Sequence, residues 1–191
     1  MCRRGLYDFD FARSYAAYTS AAVGAIVLLK YHEVTPLGSW LADRLFELAA
    51  RYPEVAAVDA VAPVPQHATR LRERGYNQAE LIARPLARRL GVPYRPILLV
   101  RTKPRPEKLK LTVRERWRTV RGAYDIREGA RVDNLRVLLV DDVLTTGATL
   151  DACSRALRHA GAAKVTALTV ARAVLRADTP GAKVLSKEPH E

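Results

Sequence analysis

Asp141 and Asp142 stand at the end of the apolar run Val137-Leu138-Leu139-Val140, and Thr145-Thr146-Gly147-Ala148-Thr149 follows after Val143 and Leu144. Two adjacent carboxylates at a strand end can accept hydrogen bonds from a vicinal diol such as the 2′ and 3′ hydroxyls of ribose, and charge makes such bonds stronger than neutral ones. The Thr/Gly segment offers backbone N–H groups and hydroxyls at the start of a helix, where the helix dipole favours an anion. Gly147 lets backbone come close to a phosphate. Diol acceptor and phosphate cradle lie about one ribose apart, so together they select ribose 5-phosphate. Either half alone is ordinary: an acidic pair can be a solvated strand end, and Thr-Thr-Gly a helix cap. The order and spacing of both is what carries the reading.

The elements that must position these residues follow from pattern. Val58–Val64 is a short apolar run ending in Pro63 and Pro65, which suits a buried strand and a stiff turn. His67–Asn77 reads as a basic loop, Gln78–Leu90 as a helix closed by Gly91 and bent or broken at Pro85, and Ile97–Val100 as a strand. Arg101–Arg121 holds nine Lys or Arg, two Glu and two Pro, so its first half reads as a mobile loop and Val113–Val120 as a short helix. Ala123–Ile126, Arg136–Val140 and Val165–Val170 are expected strands, and Ala148–Ala160 a helix ended by Gly161. Upstream, residues 1–14 lack a period, Tyr15 to about Glu33 suits a helix, and Pro36 opens another carrying Leu37, Trp40, Leu41, Leu45 and Leu48 until Pro53. Strands alternating with helices imply an α/β fold with a central, mainly parallel sheet, whose ligands sit beyond the carboxyl ends of the strands. The expected organisation is a helical cap or hood over residues 1–54, a core over 55–172, and a disordered tail over 173–191.

Composition narrows the class. At 191 residues, 49% hydrophobic and 27% charged, the chain suits one soluble domain with a sizeable core. Lys+Arg at 32 against Asp+Glu at 20 gives a net charge of +12, a field that attracts nucleic acid, phosphorylated metabolites or acidic membrane surfaces, unless it only reflects an Arg-rich composition. Ala21–Leu29 is apolar for nine residues only, short of the ~20 that cross a bilayer. Tyr7, Asp8, Asp10 and Arg13 interrupt any signal-peptide pattern, so export and membrane insertion are not expected. Cys2 and Cys153 are too few for a four-ligand zinc site, and the chain reads as cytoplasmic. Cys153, Trp40 and Trp117 read as packing residues, and Tyr76 and Asn77 as packing and capping of the helix at Gln78.

All thirteen positions of Val137–Thr149 resemble the 5-phosphoribosyl-1-pyrophosphate (PRPP) motif of type I phosphoribosyltransferases. Pro63-Val64-Pro65-Gln66-His67, Arg70 and Arg74-Gly75-Tyr76-Asn77-Gln78-Ala79-Glu80-Leu81 are similar to the ComF family of competence-associated, phosphoribosyltransferase-like proteins. Lys30-Tyr31, Arg116, Val120-Arg121-Gly122-Ala123-Tyr124 and Ala171-Arg172 fit the same family. Its members often begin with a four-cysteine zinc ribbon, of which Cys2 is at most the last, so no zinc is expected. Lys108 and Thr119 replace the Gln and Asn usual in the family, which puts loop-dependent recognition in doubt.

The resemblance implies a type I phosphoribosyltransferase fold, in which a nucleophile displaces pyrophosphate from ribose C1. Asp141 and Asp142 would hold the diol and Thr145, Thr146, Gly147 and Thr149 the 5-phosphate, with Val143, Leu144 and Ala148 completing the segment that binds ribose 5-phosphate. Val64, Pro65, Gln66 and His67, with Arg70 and Arg74, would meet pyrophosphate. Lys103 and Arg105 would act with the two acids from a closing loop, and Lys108 is a further loop candidate. Mg²⁺ would arrive on PRPP, with no direct protein ligand. The family also implies a link to DNA uptake. Two readings stay open: a phosphoribosyltransferase acting on an unidentified base or amine, or a non-catalytic sensor of PRPP or nucleotide that handles single-stranded DNA through Arg101–Arg121, Trp117 and Tyr124. A homodimer is left open.

Overall fold

The computed structural model describes residues 7–32, 34–104 and 111–173. Four strands, β1 (Phe11–Ala17), β2 (Ala60–Pro63), β5 (Arg136–Leu144) and β6 (Lys164–Arg172), form a parallel sheet in the order β1-β6-β5-β2. A two-stranded antiparallel ribbon, β3 (Leu99–Arg101) with β4 (Tyr124–Ile126), stands beside it. The helices are α1 (Ser20–Tyr31), α2 (Pro36–Ala49), α3 (Pro53–Ala56), α4 (Ala68–Arg74), α5 (Gln78–Leu90), α6 (Val113–Val120) and α7 (Ala148–His159).

The central strands are apolar without alternation because both faces are covered. Successive side chains still point to opposite faces. Val137 and Leu139 join Leu150, Cys153, Leu157 and the ribbon residues Leu99 and Tyr124 in one buried cluster. Leu138 and Val140 join Ile26, Leu29, Leu41, Leu45, Ile82 and Leu86 in the other. One layer therefore holds α6, α7 and the ribbon, and the opposite layer holds α1, α2 and α5. Cys153 is fully buried, as expected of a packing residue, and burial pushes its thiol well up. Trp117 packs against the first cluster, whereas Trp40 is half-exposed beneath the Arg44 guanidinium.

The helices start and stop where local chemistry says they should. The Asn77 side chain accepts from the Ala79 amide at 3.0 Å and Gly91 closes α5 in the left-handed region. Thr112 and Glu115 form a reciprocal capping box on α6. Helix α5 runs unbroken through Pro85, so the chain does not break there. The carbonyl that Pro85 leaves without a helical donor, Leu81, faces Gly38 of α2, where a Cβ would come within 2.6 Å of it.

Three expectations are corrected. Phe11–Ala17 is a strand, where no period and then a helix were expected, and α1 begins only at Ser20. Pairing with β6 supplies its order, and only Ala12 of its seven residues is buried, so no local pattern marks it. The stretch to residue 54 thus carries α1 and α2 together with a strand of the main sheet. His67–Asn77 is not all loop, for α4 occupies Ala68–Arg74. None of its residues is buried, so no apolar stripe announced it; the His67 side chain accepts from the Thr69 amide and Gly75 ends it at φ 80°. Finally, β5 does not stop at Val140 but runs through both acids to Leu144. The expected tail, from residue 174, lies outside the described residues.

Candidate functional site

The carboxyl ends of β5 and β2 and the start of α7 open on a cleft of about 470 Å³. It brings together Val64, Pro65, Gln66, His67, Arg70 and Arg74 with Asp141, Asp142, Val143, Thr145, Thr146, Ala148 and Thr149. These two groups are about 70 residues apart in the chain. They meet because β2 pairs with β5 in register, Pro63 opposite Val140, and the Val64 amide donates to the Val140 carbonyl at 2.9 Å.

Because β5 continues through the acidic pair, Asp141 and Asp142 leave the strand toward opposite layers. Asp142 is buried. Its Oδ2 receives Lys30 Nζ of α1 at 2.5 Å and Gln78 Nε2 at 2.9 Å. Asp141 Oδ1 accepts from the Asp142 amide at 2.9 Å. Burying a carboxylate is tolerable only when it is paired and hydrogen-bonded, and Lys30 with Gln78 meets that condition.

The Thr145–Thr149 loop is shaped by Gly147, the N-cap of α7 at φ 81°. The Tyr7 ring lies against it: a Cβ at Gly147 would come within 3.0 Å of Tyr7 Cε1. Tyr7 also stacks between Phe9 and Trp117 and donates its hydroxyl to the Thr146 carbonyl at 3.4 Å. From α6, Arg116 Nη1 donates to Thr145 Oγ1 at 3.4 Å, which puts a cation beside the loop. Glycine, helix N-terminus and arginine make this corner attractive to an anion.

On the β2 side, Gln66 Nε2 donates to Gln78 Oε1 and to Asn77 Oδ1, while Asn77 Nδ2 donates to the Val64 carbonyl at 3.0 Å. Arg74 Nη1 donates to Gln78 Oε1 at 2.7 Å and its guanidinium lies over the Tyr31 ring. Gln66 Oε1 is buried with no partner among the described residues. At the cleft's other wall Arg101 donates to the Tyr124 hydroxyl at 2.8 Å. Burial pushes the Tyr124 phenol far up, helped by Cys153 and Asp141 and opposed by Arg101, so it stays protonated.

Not every residue read from sequence converges here. Leu144 and Gly147 belong to the loop's framework but do not line the cleft. Lys103 is exposed and its Nζ donates to the Arg121 carbonyl at 3.1 Å, outside the cleft lining. Arg105 and Lys108 lie outside the described residues. Conversely, Lys30, Gln78, Arg101 and Tyr124 line the cleft without having been given a role there. Lys30, Gln78 and Tyr124 sit inside the motif runs, but only tertiary contacts disclose what they touch; Arg101 had no signal beyond belonging to a basic stretch.

A second groove, about 680 Å³, lies on the far side of α6, between it, β4 and α7. Its lining includes Arg114, Arg118 and Arg121, whose side chains make no hydrogen bond or ion pair among the described residues, together with Trp117, Arg155 and His159. It touches the cleft through Val120 and Tyr124, which line both.

No described helix is long and apolar enough to cross a membrane. The family description "Phosphoribosyl transferase domain" matches residues 77–187, more than half of the chain. Competence protein F of Haemophilus influenzae is 33% identical over 126 residues, covering 65% of this chain and 55% of that protein. DNA utilization protein YhgH of Salmonella typhi is 29% identical over 155 residues, 80% of this chain and 67% of its own. Adenine phosphoribosyltransferase of a Roseiflexus species is 32% identical over 146 residues, 70% and 71% of the two chains. The chain thus spans little more than half the length of the first of these relatives. With its parallel sheet, flanking helices and matched domain, the chain belongs to the phosphoribosyl transferase domain family, and competence protein F and DNA utilization proteins are among its relatives.

Proposed function

We propose that this protein binds PRPP in the cleft at the carboxyl ends of β5 and β2, and that the arrangement serves transfer of the phosphoribosyl group to a nitrogen nucleophile. The observation that carries the reading is the convergence in one cleft of the acidic pair, the Thr145–Thr149 loop and the Val64–His67 turn. Asp141 and Asp142 accept from the ribose hydroxyls. The loop and Arg116 hold the 5-phosphate. The Val64–His67 turn, with Arg70 and Arg74, faces pyrophosphate.

In the transfer, the acceptor nitrogen's lone pair forms the bond to C1 as the C1–O bond to pyrophosphate breaks. The electron pair leaves on pyrophosphate and the nitrogen sheds its proton. Arg70 and Arg74 are placed to meet the charge that develops on the departing oxygens. Lys103 and Arg105 are assigned to loop closure on the resemblance alone. Among the described residues no group of three or more His, Cys, Asp or Glu could hold a metal ion. Magnesium would enter as the magnesium salt of pyrophosphate, and Gln66 Oε1, buried without a partner among the described residues, is an acceptor suited to a water of that ion. The ion's contribution is to neutralise the leaving group. Since PRPP is an intracellular metabolite, the reading places the protein in the cytoplasm.

The test is calorimetric titration with PRPP and Mg²⁺ beside a folded Asp141→Asn, Asp142→Asn double variant. Saturable binding lost in the variant is the expected result. No binding by the intact protein would remove PRPP as the ligand.

A second reading, an accessory that binds single-stranded DNA, is favoured by one observation: the three arginines beside Trp117 in the α6–α7 groove, whose side chains have no partner among the described residues. The names of the relatives support the same direction. Cations that track a backbone and an aromatic that stacks a base are what such a strand requires. Each phosphate contact on a single strand contributes roughly 0.7 to the slope of log affinity against log salt, so a triple Arg114, Arg118, Arg121→Gln variant should lower that slope by about 2. An unchanged slope would exclude the groove as the strand's track.

A further inference from the structure

We propose that Gln78 is a positioning residue that couples the two halves of the cleft, so that pyrophosphate and ribose 5-phosphate each tighten the other's binding. The inference rests on the ribose-phosphate reading above and adds a linkage to it.

The buried Gln78 amide faces both subsites at once. Its Nε2 donates to Asp142 Oδ2 at 2.9 Å, on the diol side. Its Oε1 receives Arg74 Nη1 at 2.7 Å and Gln66 Nε2, both on the pyrophosphate side. Asp142 Oδ2 already holds Lys30 at 2.5 Å, so a ribose hydroxyl approaching that oxygen competes with two donors. Gln78 is only 7% exposed, and a buried amide cannot exchange a lost partner for bulk water. A change at one end of it must be felt at the other.

The sign follows from polarisation. A cation donating to the amide oxygen makes the same amide's N–H a stronger donor, as in any hydrogen-bonded chain. Arg74 therefore strengthens the grip of Gln78 on Asp142 in the protein as it stands. Pyrophosphate draws Arg74 to itself, the Gln78 N–H weakens as a donor, and Asp142 Oδ2 becomes available to the diol. By reciprocity, the diol's occupation of Asp142 eases Arg74 away from Gln78 toward pyrophosphate. The amide is thus an ordered switch between the empty cleft and the loaded one, made of residues from α4, α5, β5 and the β2 turn.

The experiment is calorimetric titration of the whole protein with ribose 5-phosphate, without and with saturating magnesium pyrophosphate. The ratio of the two dissociation constants is the coupling factor. About fivefold or more is expected in the intact protein, falling to near one in Gln78→Met, which fills the same volume without donor or acceptor. If that variant does not fold, Gln78→Asn, whose shorter amide cannot span Asp142 and Arg74, takes its place with the same expectation. Intact protein that binds both ligands without tightening, or a variant that keeps the full factor, overturns the coupling while leaving the ribose-phosphate site in place. Failure of the intact protein to bind either ligand overturns the ribose-phosphate reading, and the coupling with it.

Discussion

The two ends of the parallel sheet are built on opposite plans. At its amino ends, charges satisfy one another. Asp59, before β2, takes the Arg136 amide, Nε and Nη2 at the start of β5 at 2.8, 3.0 and 2.7 Å. Asp10, before β1, accepts from Arg158 and from the Val165 amide of β6. These pairs fix strand register and leave nothing for a ligand. At the carboxyl ends, polar groups form a network that borders the open cleft: Asp142 is shared by two donors, Arg116 reaches the Thr145–Thr149 loop, and Gln66 Oε1 has no partner among the described residues. One end closes its charges on one another across neighbouring strands, and the other sets its polar groups along an open cleft.

Substitutions at the two ends should accordingly separate binding from stability. The largest effect is expected for Asp142→Asn. It removes the charge from an acceptor of the ribose hydroxyls, and hydrogen bonds to charged groups are worth ~1.5–3 kcal/mol each. Ribose-phosphate affinity should fall about 100-fold, read by calorimetry, with the fold kept.

Next comes Gly147→Ala. Its φ of 81° and the Tyr7 ring at 3.0 Å leave a Cβ no comfortable place. A left-handed backbone costs a non-glycine residue roughly 1–2 kcal/mol. The loss should show as roughly tenfold weaker binding of the 5-phosphate, because the loop shifts to relieve the contact.

The smallest effect belongs to the other end. The Arg136 guanidinium and amide hold the Asp59 carboxyl down at about 2 from its ordinary 3.8. A depressed carboxylate contributes stability above its unfolded pKa and loses it as pH falls through the folded one. The ion pair's contribution is thus complete above pH 3.8 and fades toward about 2. Asp59→Asn should remove that acid limb from thermal unfolding curves, modestly since the pair is exposed, and leave ligand affinity at neutral pH unchanged.

The contrast also explains what could be read from the chain. One half of the candidate site is contiguous, Asp141 to Thr149, and a contiguous motif carries its own geometry. Helices α5 and α6 were legible to the residue because Asn77, Gly91, Thr112 and Glu115 are local punctuation. Helix α4 was not, because it buries none of its residues, and β1 was not, because its partner strand β6 lies some 150 residues away. The roles of Lys30 and Gln78 were hidden for the same reason: each acts on Asp142 across a fold that only tertiary packing assembles. The two acids were read as a pair facing one diol. The strand's continuation to Leu144 also sets Asp142 against Lys30, while both residues border the cleft.

The most direct measurement is a crystal structure of the protein with ribose 5-phosphate and magnesium pyrophosphate. The account predicts the 5-phosphate on the Thr145–Thr149 loop beside Arg116, the ribose hydroxyls on Asp141 and Asp142, and pyrophosphate at Val64–His67 with Arg74 turned away from Gln78. Phosphate density confined to the α6–α7 groove, with the loop and the acidic pair untouched, would contradict it.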